Sequence, residues 1–291
     1  MIVVPGWLDS VGAPWLCTDG CLFRQAERPR QQTALAPNCP AEVGLAGANT
    51  LQIYGFSVDS AHQAHPAGGS VGVRVDAVVG SAPEHAVLRV NLCLTGALGI
   101  SAAVAPKHSR IVAAVAALQD IFADISVAVT VTYADVGGSP FVSHDVEDAE
   151  LSKLFASGAG QPMGVNVFLV EKLTYAAKAG PLPISGLSGG IPGPVREVGG
   201  PQAGVAVSLQ LGVGEEDRLG VAIAHELGHF LGLFHTEEPA SPGKVPQGDQ
   251  LFDTASGATD NLMYWSPQAN SRKLSAQQRA VVWNSAWLEP K

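Results

Sequence analysis

His225-Glu226-Leu227-Gly228-His229-Phe230-Leu231-Gly232-Leu233-Phe234-His235 holds three of the chain's eight histidines. Leu219, Ala222, Ile223, Leu227, Phe230 and Leu231 supply apolar faces, and Asp217 is placed to N-cap a helix opening at Arg218, with Glu215 and Glu216 near its positive end. On that helix His225 and His229 share one face about 6 Å apart along the axis, a spacing at which two imidazoles can hold one tetrahedral Zn²⁺. Glu226 is rotated about 100° from His225, which puts its carboxylate beside the metal position rather than on it. A base acting on a zinc-bound water must stand there. Gly232 suits the left-handed conformation that ends a helix, and the turn it permits can bring His235 back as a third ligand. Three protein ligands leave a fourth position for water, which separates a catalytic zinc site from a closed structural one.

The segment resembles the H-E-x-x-H-x-x-G-x-x-H signature of the metzincin zinc peptidases at every fixed position. That family carries a methionine in a tight turn beneath the metal. Asn261-Leu262-Met263-Tyr264 follows His235 at the matching place, and the chain has only three methionines, so Met263 is the counterpart. The flanks Gly248-Asp249, Asp253-Thr254, Asn261-Leu262-Met263 and Leu274-Ser275-x-x-Gln278 are similar to the pappalysin-type branch. The resemblance spans about residues 86–291, with specific residues matched from His225 onward. Two departures stand against the branch. Where several metzincins place a tyrosine two positions after the methionine, this chain has Trp265, which leaves the adjacent Tyr264 as the candidate transition-state stabiliser. There are also no cysteines after Cys93.

The resemblance and the chemistry together imply a zinc-dependent endopeptidase in which His225, His229 and His235 hold zinc, Glu226 takes a proton from the activated water, and a protein or peptide is the substrate. An extended substrate would add to an edge strand, and residues 164–170 are the expected edge. Asp249, Asp253, Thr254 and Asp260 concentrate oxygen donors before the Met-turn and are candidates for a structural Ca²⁺, against the plainer reading of solvated turn residues. Other readings stay open: a latent or catalytically silent binding or adhesion protein on a zincin scaffold, which the intact Glu226 disfavours, and a zinc hydrolase of non-protein amides.

Upstream, 86–95 reads as a strand, 109–123 as a helix, 125–133 and 164–170 as strands, and 204–211 as one more. Residues 180–200 are crowded with Gly and Pro and are expected to hold no regular structure. They form either the rim of the substrate site or an ordinary surface loop. The last helix is expected from Ser275 to about Trp287. Residues 1–84, with alternating Val71, Val73, Val75 and Ala77, read as a β-rich accessory unit or pro-segment, and 85–291 as the catalytic domain. The expected fold is mixed α/β, a zincin-like domain with a twisted, mostly parallel sheet, preceded by that small β-rich unit.

The 291 residues allow one large domain or two unequal ones. Net charge −9, with no basic cluster beyond 24–30, argues against a nucleic-acid partner. The longest uncharged stretch with appreciable hydropathy, 90–106, is too short and too polar to span a bilayer. Cys17, Cys21, Cys39 and Cys93 fit two disulfides in a secreted protein, with three pairings open; reduced thiols in a cytosolic protein are the alternative. No signal peptide is visible at the N-terminus. A monomer is expected.

Overall fold

The computed structural model describes residues 2–8, 50–58, 64–66, 84–137, 139–144, 149–177, 180–210, 218–238, 249 and 251–291. Cys17, Cys21, Cys39, the alternating stretch 71–77, and the capping candidates Glu215, Glu216 and Asp217 lie outside them. Strands β1 (Ile2–Leu8), β2 (Thr50–Val58) and β3 (Ala64–Pro66) pair antiparallel in that order.

From residue 84 the order is β4 (Ala86–Leu94), α1 (Ser109–Ala123), β5 (Val127–Asp135), β6 (Phe141–His144), α2 (Ala149–Ala156), β7 (Val165–Val170), β8 (Lys172–Ala177), β9 (Gly180–Pro183), β10 (Gly186–Ser188), β11 (Val205–Ser208), α3 (Arg218–Phe230), α4 (Ala276–Trp283) and β12 (Leu288–Pro290). The mixed α/β expectation holds for this unit. In the main sheet β11, β7, β4 and β5 run parallel, while β10 closes one end antiparallel to β11. Because β5 lines the whole of β4, the other side of β4 is shared by β7 at Val90–Leu94 and by the antiparallel β12 at Ala86–Leu88. A second sheet has the order β6-β8-β9.

Strand periodicity decides which layer covers each face. Leu88, Val90, Leu92 and Leu94 of β4, with Val165, Val167 and Leu169 of β7 and Val205 and Val207 of β11, pack under Ile111, Leu118 and Phe122 of α1 and Leu219, Ile223 and Leu227 of α3. The alternate residues Cys93, Phe168, Val170 and Ala206 face Leu151, Leu154 and Phe155 of α2 and Val142 and Leu173 of the second sheet. Each buried Phe or Leu contributes about 1.5–3 kcal/mol. Packing of this kind, more than helix propensity, holds α1 and α3 against the sheet.

Four expectations are corrected here. Residues 164–170 are not an edge: β7 lies between β4 and β11, and all six of its residues are buried, as the near-continuous apolar run of a strand covered on both faces requires. The edge strand at the α3 end of the sheet is β10, within the Gly/Pro-rich stretch expected to be irregular; short pieces of strand survive there because each needs only three or four extended residues. The disulfide pairing of Cys93 fails, since Cys93 is a free thiol buried between the sheet and α2. The last helix also stops at Trp283, and the chain then adds β12 to the sheet.

Candidate metal centre

Helix α3, Arg218–Phe230, runs buried along nearly its whole length. Its end is built by Gly232 at φ +113°, a left-handed conformation open to glycine at no steric cost. The Gly232 N–H donates to the His229 carbonyl and the Leu233 N–H to the Gly228 carbonyl, both at 2.9 Å, the paired bonds of a Schellman stop. The reversal returns the chain to His225 and His229, and the three imidazoles form a group able to hold one metal ion.

The hydrogen bonds behind the imidazoles settle their tautomers. His225 Nδ1 lies 2.7 Å from the Leu262 carbonyl, His229 Nδ1 2.7 Å from the Leu233 carbonyl, and His235 Nδ1 3.1 Å from a Glu238 carboxylate oxygen. A carbonyl or carboxylate can only accept, so each Nδ1 carries the proton and donates it. In the neutral ring each Nε2 is then left with a lone pair. Those of His225 and His229 stand 3.2 and 3.1 Å from that of His235. Lone pairs at this separation repel unless they share a cation. Two nitrogens 2.0–2.1 Å from a tetrahedral Zn²⁺ stand about 3.3 Å apart, so the donor set and its spacing fit that ion. Burial and the neighbouring His235 push the pKa of His225 down to about 3, which keeps it a neutral ligand at ordinary pH.

Glu226 is buried on α3 at 5% exposure and faces β10: a Cβ added to Gly186 would stand 2.7 Å from its Oε1. Met263 is fully buried, with its sulfur against Gly228 between the two helical histidines. Its N–H donates to Asn261 Oδ1 at 2.8 Å, and its carbonyl accepts the Thr236 N–H at 2.9 Å. Tyr264 is half-buried in the same turn, its ring 5.8 Å from that of Trp265.

The four calcium candidates do not converge. Among the described residues the three histidines are the one group of His, Cys, Asp and Glu side chains close enough together to hold a metal. Asp249 accepts from Thr254 Oγ1 at 2.7 Å and from the Leu251 N–H, and burial raises its pKa. Asp253 accepts from Ser275 Oγ and the Gln277 N–H at the start of α4. Asp260 pairs with Lys273 at 2.9 Å, whose hydrogen bond and charge lower its pKa.

Sequence reasoning missed Glu238, the Leu233 and Leu262 carbonyls, and β10. Glu238 follows the third histidine by three residues, which is a visible signal; the carbonyls have none, since any residue supplies one.

No protein-family model matches the chain, and no curated protein matches it. Among solved structures it is similar to metalloproteinase-II from Bacteroides fragilis, at 15% identity and a TM-score of 0.43, over 73% of this chain and 56% of that one. It is also similar to archaemetzincin from Methanopyrus kandleri, at 14% identity and a TM-score of 0.39, over 68% of this chain and 94% of that one. The chain thus spans little more than half the length of the Bacteroides protein.

Proposed function

We propose that this chain is a zinc-dependent endopeptidase of the metzincin type. The observation that carries the reading is the convergence of three imidazoles, each held by an acceptor at Nδ1, on one point, with the buried Glu226 next to His225 on the same helix. His225, His229 and His235 would hold zinc, and when bound it supplies Lewis acidity that lowers the pKa of water and polarises a carbonyl.

The remaining roles belong to the chain itself. Glu226 takes a proton from the attacking water and delivers it to the leaving amine nitrogen. Its position against β10 makes that edge strand the candidate site for an extended peptide, which would pair with the β10 backbone and lie across the carboxylate. Met263 packs under the ligands and fixes their floor. Tyr264, next to that turn, is the proposed stabiliser of the transition-state oxyanion.

Finer features are proposed on narrower support. The motifs at Asn261-Leu262-Met263 and Ser275-x-x-Gln278 favour the pappalysin-type branch. Residues 85–291 would form the catalytic domain, with 1–84 as an accessory unit or pro-segment. No helix among the described residues is long and apolar enough to cross a membrane. With Cys93 free in the core, the proposal of a secreted protein rests on Cys17, Cys21 and Cys39. A monomer is proposed as well.

Mass spectrometry of products from a mixed peptide pool tests the reading, with Glu226→Ala and a chelator-treated sample alongside. Cleavage by wild type alone supports it. Equal cleavage by Glu226→Ala, or a metal-replete wild type that leaves every peptide whole, overturns it.

A further inference from the structure

We infer that Asn261 and Gln278 are positioning residues for the metal centre, a buried amide pair that ties the cap of α4 to the turn presenting the Leu262 carbonyl to His225. The inference rests on the metal-centre reading above and deepens it.

Helix α4 opens with a capping box. Ser275 Oγ accepts from the Gln278 N–H at 3.1 Å, and Gln278 Oε1 accepts from the Ser275 N–H at 2.9 Å. A capping glutamine ordinarily sits at the surface, but Gln278 is fully buried. The rest of its amide turns inward. Oε1 also accepts from Asn261 Nδ2 at 2.8 Å, and Nε2 donates to Asn261 Oδ1 at 3.2 Å, with Asp249 Oδ2 a further 3.5 Å neighbour. Asn261 Oδ1 takes, in addition, the Met263 N–H. Buried amides bonded this fully have one orientation open to them.

The same turn holds the Leu262 peptide in place. The Leu262 N–H donates to the Lys273 carbonyl at 2.8 Å, the Tyr264 N–H closes on the Asn261 carbonyl at 3.1 Å, and the Leu262 carbonyl is left aimed at His225 Nδ1. The route from α4 to the ligand is therefore Gln278, Asn261, the Leu262 peptide and His225.

The residue type at 278 follows from this route and not from the cap. A glutamate satisfies a capping box as well as a glutamine does. Here it would set a carboxylate against Asn261 Oδ1 and near Asp249, with no hydrogen to donate to either. Likewise an aspartate at 261 still accepts the Met263 N–H but loses the donor to Gln278. When the pair breaks, Asn261 no longer holds the Met263 N–H in a fixed place, so the Leu262–Met263 peptide can turn even though the Leu262 N–H stays on the Lys273 carbonyl, and His225 loses its well-aimed acceptor. Loss of such an outer partner typically weakens metal binding about 10–100-fold.

The test measures zinc affinity by chelator competition and the absorption spectrum of the cobalt-substituted protein, on the full chain. Gln278→Glu and the milder Asn261→Asp are compared with Val282→Ala, which opens a cavity in the buried face of α4 one turn on from Gln278 and removes no hydrogen bond of the pair. Thermal midpoints of the metal-free proteins place all three on one stability scale. The inference expects zinc affinity to fall about tenfold or more in both amide variants, with a changed cobalt spectrum, while Val282→Ala binds zinc within about twofold of wild type at an equal loss of midpoint. Amide variants that bind zinc as wild type does overturn it, as does an equal weakening by Val282→Ala. A wild type that takes up no zinc overturns the metal-centre reading as well, so the two failures are told apart by wild type alone.

Discussion

Gly186 in the edge strand and Glu226 on α3 meet so closely that a Cβ on Gly186 would stand 2.5 Å from Glu226 Cγ. The backbone of β10 is tied to β11 by its antiparallel pairing, and α3 is packed on the sheet. A methyl group there must therefore be absorbed chiefly by the carboxylate. Gly186→Ala is expected to lower kcat/KM for peptide hydrolysis by about 10²-fold, the usual effect of a displacement near 1 Å, while zinc content stays at the wild-type ratio. Kinetics together with metal analysis check this, and an unchanged kcat/KM would remove Glu226 from the reaction.

Gly232 carries a different kind of constraint. At φ +113° any side chain is strained, at about 1–3 kcal/mol, and relief of that strain would shift Leu233, whose carbonyl holds His229. Gly232→Ala is expected to lower the thermal midpoint and also to weaken zinc binding, whereas an ordinary loop substitution of equal stability cost would leave affinity alone. Midpoints with and without added zinc separate the two effects.

How much of this was legible depended on the range of the interaction. The spacing of His225, Glu226, His229 and Gly232 is local, so the helix, its stop and the returning His235 could be read before any coordinates. Helix α1 was likewise bounded at Ser109 and Ala123 by its own periodicity. Strand order is not local. Residues 164–170 read as an edge from the sequence alone, although the near-continuous apolar run Val-Asn-Val-Phe-Leu-Val is the mark of a central strand buried on both faces. β10 has no comparable signature: three residues, Gly186-Leu187-Ser188, form a strand because β11 is beside them. The oxygen-rich loop could not be read for a related reason, since Asp253 and Asp260 find partners, Ser275 and Lys273, that only the folded turn brings near.

Cys93 shows what burial does to a thiol. It lies in the core between the sheet and α2, and desolvation raises its pKa to about 12, so almost no thiolate exists at neutral pH. Iodoacetamide at pH 7.5 is expected to leave the Cys93 peptide unmodified in the native protein and to label it fully in denaturant. Labelling under native conditions, or a mixed disulfide at Cys93, would contradict the free buried thiol.

Glu238 is the one charged acceptor behind the ligands, 3.1 Å from His235 Nδ1, where the other two are backbone carbonyls. Glu238→Gln keeps an oxygen that can accept and loses only the charge; Glu238→Ala loses both. Zinc affinity is therefore expected to fall modestly in the first variant and about 10–100-fold in the second. Chelator competition measures both, and equal affinities across the series would mean that His235 is oriented without Glu238.

The metal-free protein should be sensitive to acid in a direction set by His225. In the fold its pKa is depressed to about 3, chiefly by burial and then by His235, against about 6.5 in the unfolded chain. Between those values the unfolded chain binds the proton and the folded one does not, so stability falls as pH falls. The stability associated with the neutral ring is intact above about 6.5 and is lost progressively as the pH drops toward 3. Zinc binding to the folded form adds stability by mass action and also requires the unprotonated ring, so chelation should lower the midpoint at every pH at which the metal is bound. Urea melts of the chelated wild type and His225→Ala between pH 8 and 4 check the assignment. The wild-type midpoint is expected to fall more steeply with acid, and parallel curves would show that another group carries the pH dependence.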